Sequence, residues 1–195
     1  MTLQVGLTGG IGVGKTTVSK ILSHLGVPTF NSDLCSKDIL KKNIRVKKDI
    51  KKIFGNCVID HSGEINKKEL SCIVFSDKKK LQFLNNLIHP IVMQRYNKWL
   101  STQKTNYIIK ESALLFEAGV SSKLNKIILI KAPVSLRIKR VSERDKRTKK
   151  EIQNIIVNQI EPSHLYHKVD FVINNNGGLL TPKIIKLHNQ LLNCF

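Results

Sequence analysis

The chain has 195 residues, with 33 Lys and Arg against 14 Asp and Glu, a net charge of +19 and a hydrophobic fraction of 41%. That length supports one or two domains with a real core, and the apolar fraction is ordinary for a soluble globular chain. No basic stretch followed by an apolar run opens the sequence, and the apolar runs break well short of a bilayer span, so neither a signal peptide nor a membrane helix is expected.

Residues 4–8 (QVGLT) read as a short buried strand. Val18, Ile21, Leu22 and Leu25 then recur at helical spacing, which predicts a helix with one apolar face and Gly26 just past its end. Between strand and helix, Gly9, Gly14, Lys15 and Thr16 complete the pattern G-x-x-x-x-G-K-[ST]. The glycines permit dihedrals barred to side chains, so the loop's N–H groups turn inward as an anion nest, reinforced by the positive end of the helix. In that motif Lys15 reaches the β- and γ-phosphates of a nucleotide, and the Thr16 hydroxyl ligates Mg²⁺.

A second strand is expected at residues 27–31 (VPTFN), followed by Ser32 and Asp33. Two readings of Asp33 stand side by side. Beyond a strand end and near a γ-phosphate, a carboxylate holds the metal shell or accepts a proton from an attacking hydroxyl. Ser32 and Asp33 are equally good helix N-caps. Residues 34–105 look helical: Val46, Ile50, Ile53 and Phe54 share a face that stops at Gly55, and Leu81, Leu84 and Ile88 share another. Pro90 is expected to restart a helix running through Trp99. This is too much chain for a crossover and reads as an inserted helical subdomain.

Strands are next expected at residues 107–110 (YIIK), 126–132 (KIILIKA) and 170–174 (DFVIN). Strands alternating with helices predict an α/β fold with a doubly wound parallel sheet, whose ligands bind beyond the carboxyl ends of the strands. Glu111 stands at such an end, as a metal-shell or substrate-orienting acid, with Glu117 six residues on. A helical segment at about 135–160 places Arg137, Arg140 and Arg144 on one face. Like charges at that spacing repel, so something must compensate. Glu143 can pair with Arg140 or Arg147; alternatively a triphosphate supplies the charge.

Other signals are weaker. Cys35, Cys57, Cys72 and Cys194 form no C-x-x-C pair, which suggests free thiols in a reduced cytoplasm. His164 and His167 lack neighbouring ligands and read as surface or capping residues. Most of the basic residues are spread from Lys37 to Lys186, with only 6% aromatics, favouring solvated faces and an anionic substrate over nucleic acid. Asp60–Gly63 (DHSG) matches the short GTPase pattern D-x-x-G, yet the guanine-reading N-K-x-D is missing, since residue 128 in NKII is isoleucine. A small kinase acting on a hydroxyl fits better. A P-loop kinase for a nucleoside, nucleotide or shikimate-like acceptor, and a non-enzymatic nucleotide switch, are the rivals.

Taken together, GLTGGIGVGKTT, FNSDL, LIHP at 87–90, ESALLFE at 111–117, KRVSERD at 139–145 and VDFVINNNG at 169–177 resemble the dephospho-CoA kinase family in order and spacing, over nearly the whole chain. The resemblance implies transfer of the γ-phosphate of ATP, with Mg²⁺, to the ribose 3′-hydroxyl of dephospho-CoA, the last step of coenzyme A synthesis. It implies a P-loop core with a five-stranded parallel sheet (about 1–33, 106–134 and 166–195), a helical acceptor-binding insertion (about 34–105) and a helical lid (about 135–165). It further implies a cytoplasmic monomer or weak homo-oligomer without nucleic-acid or membrane partners. Carried over by position, Asp33 resembles the general base. Gly12, Val13, Gly14, Lys15, Thr16 and Thr17 resemble the phosphate site, and Arg140 and Arg144 the phosphate-clamping arginines. His89 resembles an acceptor-side residue, and Asn174 and Asn175 lie where the family's late loop borders the base. Three positions depart from the family pattern: Asn31 replaces an acid, Ala113 a proline, and Leu165 a Lys or Arg for which His164 or Lys168 would have to substitute.

Overall fold

The computed structural model describes residues 2–193. Cys194 lies outside them, whereas Cys35, Cys57 and Cys72 are free thiols. In chain order the elements are β1 (Leu3–Thr8), α1 (Lys15–His24), β2 (Thr29–Asn31), α2 (Ser32–Lys42), α3 (Ile44–Phe54), α4 (Lys67–Phe75), α5 (Lys78–Leu100), β3 (Tyr107–Glu111), β4 (Lys126–Lys131), α6 (Val134–Asp145), α7 (Lys149–Val157), β5 (Phe171–Asn174) and α8 (Thr181–Leu192). They form two units, one from Met1–Asn31 with Gln103–Phe195, the other from Ser32–Thr102. No helix among the described residues is long and apolar enough to cross a membrane.

The first unit is an α/β layer built on a five-stranded sheet in the order β2-β3-β1-β4-β5. Every pairing is parallel. Parallel strands need both faces covered, which is why they read as continuous apolar runs. Side chains alternate across the sheet. Val5 and Leu7, Tyr107 and Ile109, Ile128 and Ile130, and Ile173 project to one face, where they meet Val18 and Leu22 of α1 and Ile184, Leu187 and Leu191 of α8. On that face β3 ends in Glu111, paired in register with Leu7 and Asn31. The opposite face carries buried Ile108, Lys110, Ile127 and Leu129.

The second unit is helical. Val46, Ile50 and Phe54 recur every four residues and bury one stripe of α3, while Asn43 caps its N-terminus by accepting from the Val46 N–H. α5 runs alongside α2, α3 and α4, and the Arg95–Asp38 ion pair at 2.6 Å ties it to α2. Asp60 accepts from the N–H groups of Ser62 and Glu64, so DHSG is a tight polar turn.

Several expectations need correction. Pro90 starts no new helix; it lies inside the continuous α5. An interior proline costs about 3 kcal/mol. Here Leu84, Ile88, Val92 and Tyr96 are all buried along one stripe that crosses it. Pro90 is exposed, as is Asn86, whose carbonyl loses its donor, so water can serve that oxygen. Ile53 does not share the buried face of α3 but is 42% exposed. The strand expected from residue 27 begins at Thr29, because the Val27 N–H is still bonded to Leu22 O at the end of α1. The single helical segment expected at 135–160 is two helices. Lys146 adopts a left-handed φ of 53° and ends α6, and Thr148 with Glu151 forms a reciprocal capping box that starts α7.

Candidate active site

The loop between β1 and α1 is shaped by what presses on it. Gly12 has φ 76°, and a Cβ there would lie 2.7 Å from the Arg137 carbonyl oxygen and 2.9 Å from Val141 Cγ2. Gly14 has φ 99° and is the N-cap of α1, without a side-chain cap. No acidic residue occupies the first turn of α1 itself. Val13 points its side chain into the core and leaves only its backbone to the loop. Lys15 Nζ folds back to Gly9 O at 2.7 Å and Gly10 O at 3.3 Å. Thr16 and Thr17 follow on the exposed side of the helix.

Glu111 stands beside this loop and is 3% exposed. It accepts from Ser19 Oγ at 2.7 Å and from Thr16 Oγ1 at 3.4 Å. No basic side chain lies within ion-pair distance of it among the described residues. A buried carboxylate that meets only hydroxyl groups, next to the motif threonine, offers the hard oxygen donors that a magnesium ion takes.

α6 brings two arginines to the loop. Arg137, 6% exposed, donates from Nε to Ile11 O at 2.8 Å and from Nη2 to Gln159 Oε1 at 2.9 Å. Arg140 donates to Gly12 O at 3.4 Å and to Asn175 Oδ1 at 3.1 Å. Asn175, 5% exposed, donates in turn to Val13 O at 2.8 Å. Neither arginine has a carboxylate within 4 Å among the described residues, so Glu143 does not compensate Arg140. Burial pushes the Arg137 pKa down, and Glu161 opposes this through space. A guanidinium buried beside neutral oxygens alone costs several kcal/mol. With the half-buried Arg140 beside it on the same glycine loop, it makes a ready anion site.

The unit built from Met1–Asn31 and Gln103–Phe195 thus gathers Gly12, Val13, Gly14, Lys15, Thr16, Thr17, Glu111, Arg140 and Asn175 around one loop. Arg144 is not drawn in; it makes two bonds of 2.7 Å to Asp145 at the end of α6. Asp33 and His89 belong to the other unit. Asp33 is half-buried in the first turn of α2. α2 already includes Ser32, whose buried Oγ has no hydrogen-bond partner among the described residues. His89 is half-buried on α5. Leu165, where a cation was expected, is buried, while His164 and Lys168 are exposed in the turn Pro162–Lys168.

Sequence reasoning missed Gln159 and Ser19. Gln159 Oε1 accepts both the Ile11 N–H, at 2.9 Å, and Arg137 Nη2. Ser19 falls one turn after Lys15 on α1, and that spacing is the signal that could have placed it near the strand ends.

A family model described as dephospho-CoA kinase matches residues 3–181. A dephospho-CoA kinase of Fusobacterium nucleatum is 38% identical over 175 residues, covering 90% of each chain. One from Legionella pneumophila (strain Paris) is 32% identical, covering 98% of this chain and 96% of its own. Among solved structures, the dephospho-CoA kinase of Campylobacter jejuni superposes with a TM-score of 0.70 at 26% identity, covering 98% of both chains. The shikimate kinase of Acinetobacter baumannii shares the fold at a TM-score of 0.56 and 13% identity, covering 99% of this chain and 94% of its own.

Proposed function

The chain belongs to the dephospho-CoA kinase family, and from that premise we propose that its glycine loop holds the phosphates of ATP while Asp33 takes the proton of the acceptor hydroxyl. The enzyme phosphorylates dephospho-CoA to coenzyme A, the final step of coenzyme A synthesis. The observation that carries the residue-level reading is the convergence of Lys15, Arg137 and Arg140 on one loop, where both arginines end on neutral oxygens.

In this reading the ribose 3′-oxygen of dephospho-CoA attacks the γ-phosphorus of ATP. A new O–P bond forms, the bond to the β–γ bridging oxygen breaks, and ADP leaves. The proton of the hydroxyl passes to Asp33 and then to solvent. Lys15 and Arg140 hold charge that gathers on the transferring group and on the leaving oxygen. Thr16, with Glu111 behind it, would hold Mg²⁺, which neutralises phosphate charge when bound. Asn175 keeps Arg140 aimed at the loop. We assign the segment of about 34–105, with His89, to the acceptor, and that of about 135–165, with Arg144, to a lid. Free cysteines and a coenzyme A product suit a cytoplasmic enzyme.

The test is nucleotide turnover by purified protein with Mg²⁺ and dephospho-CoA, adenosine, a nucleoside monophosphate or shikimate, with the product weighed by mass spectrometry. Coenzyme A should form from dephospho-CoA alone. Asp33→Asn should lower kcat roughly 10² to 10⁴-fold with little change in ATP affinity. Near-normal turnover by that variant would return Asp33 to a structural role.

A further inference from the structure

On the reading that the glycine loop holds a polyphosphate, we propose that Arg137 and Gln159 form a charge reserve: Gln159 braces the buried guanidinium with a neutral oxygen, so that its counter-charge is supplied by the bound phosphates. Neither residue belongs to the loop motif, and Arg137 need not touch a phosphate to act.

The packing leaves little choice about where the charge sits. The backbone of α6 presses on the loop so closely that a Cβ on Gly12 would lie 3.0 Å from Arg137 Cα. A Cβ on Gly10 would collide with Arg137 Nη2 and would lie 2.6 Å from Gln159 Oε1. Arg137 therefore lies against the loop itself, cut off from water by its burial. In such surroundings a charge is screened weakly, and its field at a neighbouring anion is large.

Gln159 is the informative partner. One oxygen accepts both the loop's Ile11 N–H and the guanidinium. A glutamate could make the same two bonds, and guanidinium–carboxylate pairs are the stronger kind. An internal carboxylate would also cancel the charge before any ligand arrived. The amide keeps the geometry and leaves the charge unspent. Among the described residues, the acid that opposes the burial effect on Arg137 is Glu161, which is exposed just before the turn Pro162–Lys168 and lies outside ion-pair distance.

Gln159→Glu in the full chain tests this, read by the thermal midpoint of the ligand-free protein and by calorimetric binding of inorganic tripolyphosphate and of ADP. The expected result is an unchanged or raised midpoint with both ligands bound at least tenfold more weakly. Gln159→Met removes the acceptor without adding charge. It should lower the midpoint yet weaken tripolyphosphate less than Gln159→Glu does. Unchanged affinity in Gln159→Glu would overturn the inference. So would a lowered midpoint in that variant, or a loss in Gln159→Met that equals or exceeds it. If the wild-type protein bound neither ligand, the nucleotide reading itself would fall, and this inference with it.

Discussion

Lys15 shows how a single cation is kept ready for phosphate. Its ammonium group rests on the carbonyls of Gly9 and Gly10, inside the loop that it serves. Those contacts hold the stem in place, and anionic oxygens outbid carbonyl dipoles once a nucleotide arrives. Lys15→Ala should therefore cost on the order of 3 kcal/mol of transition-state stabilisation, roughly 10²-fold in kcat/KM for ATP. A loss under tenfold in steady-state assays would move the phosphate cradle away from this loop. Lys15, Thr16 and Glu111 were legible in the sequence because their placement is local: a motif with fixed spacing, and the end of a buried strand. Arg137 and Arg144 were only half legible. Residues 137, 140 and 144 share a face of an ideal helix, but α6 stops at Asp145, so Arg144 turns to that neighbour while Arg137 is buried. Gln159 was illegible: its partner Ile11 is 148 residues away, and a polar residue just past a helix end leaves no periodic mark.

At the scale of elements, β3 carries an acid and a base to opposite faces of the sheet. Glu111 turns to the α1 side and meets hydroxyl groups; Lys110 turns to the other face, between Gly6 and Phe30 in register. Lys110 is 2% exposed, and burial, followed by the charge of Lys123, pushes its pKa down to about 8 from 10.5. Below about pH 8 it is charged in both folded and unfolded chains, and the cost of burial is felt in full. Between about pH 8 and 10.5 the unfolded chain binds the proton that the folded one has released, so stability rises with pH. The stability of Lys110→Met relative to wild type should accordingly fall by roughly 3 kcal/mol between pH 7 and about pH 10.5. Urea titrations across that range read the effect directly, and a difference independent of pH would assign it to packing alone. The strands themselves were legible because parallel strands buried on both faces must be apolar runs. Their edges were less so: β2 is short because the end of α1 claims Val27. Pro90 misled for a related reason, since a local breaker was outweighed by a buried stripe on both sides of it.

For the whole molecule, the question is what a net charge of +19 does to a folded chain of this size. The acids engaged in ion pairs include Asp38, held by Lys42 and Arg95; Glu64, by Lys47; Asp170, by Lys126; and Asp145, by Arg144. The basic excess is left facing itself. On α2, Lys37 and Lys41 lie four residues apart; on α3, so do Lys48 and Lys52. Each such pair repels by a few tenths of a kcal/mol in low salt. Distributed over the chain, this self-repulsion opposes the compact state, and it is of the kind that salt removes. The Debye length falls from about 10 Å at 0.1 M to a few ångströms near 1 M. Raising sodium chloride from about 0.05 to 0.5 M should then stabilise the ligand-free protein by about 1 kcal/mol, a rise of about 2–4 °C in its thermal midpoint. A surface of paired charges carries the opposite expectation, since salt screens the attraction within each pair. A flat or falling midpoint would mean that the lysines are spaced widely enough to ignore one another. In that case the anion affinity of this chain would rest on the few cations gathered at the loop, without help from the field of the whole.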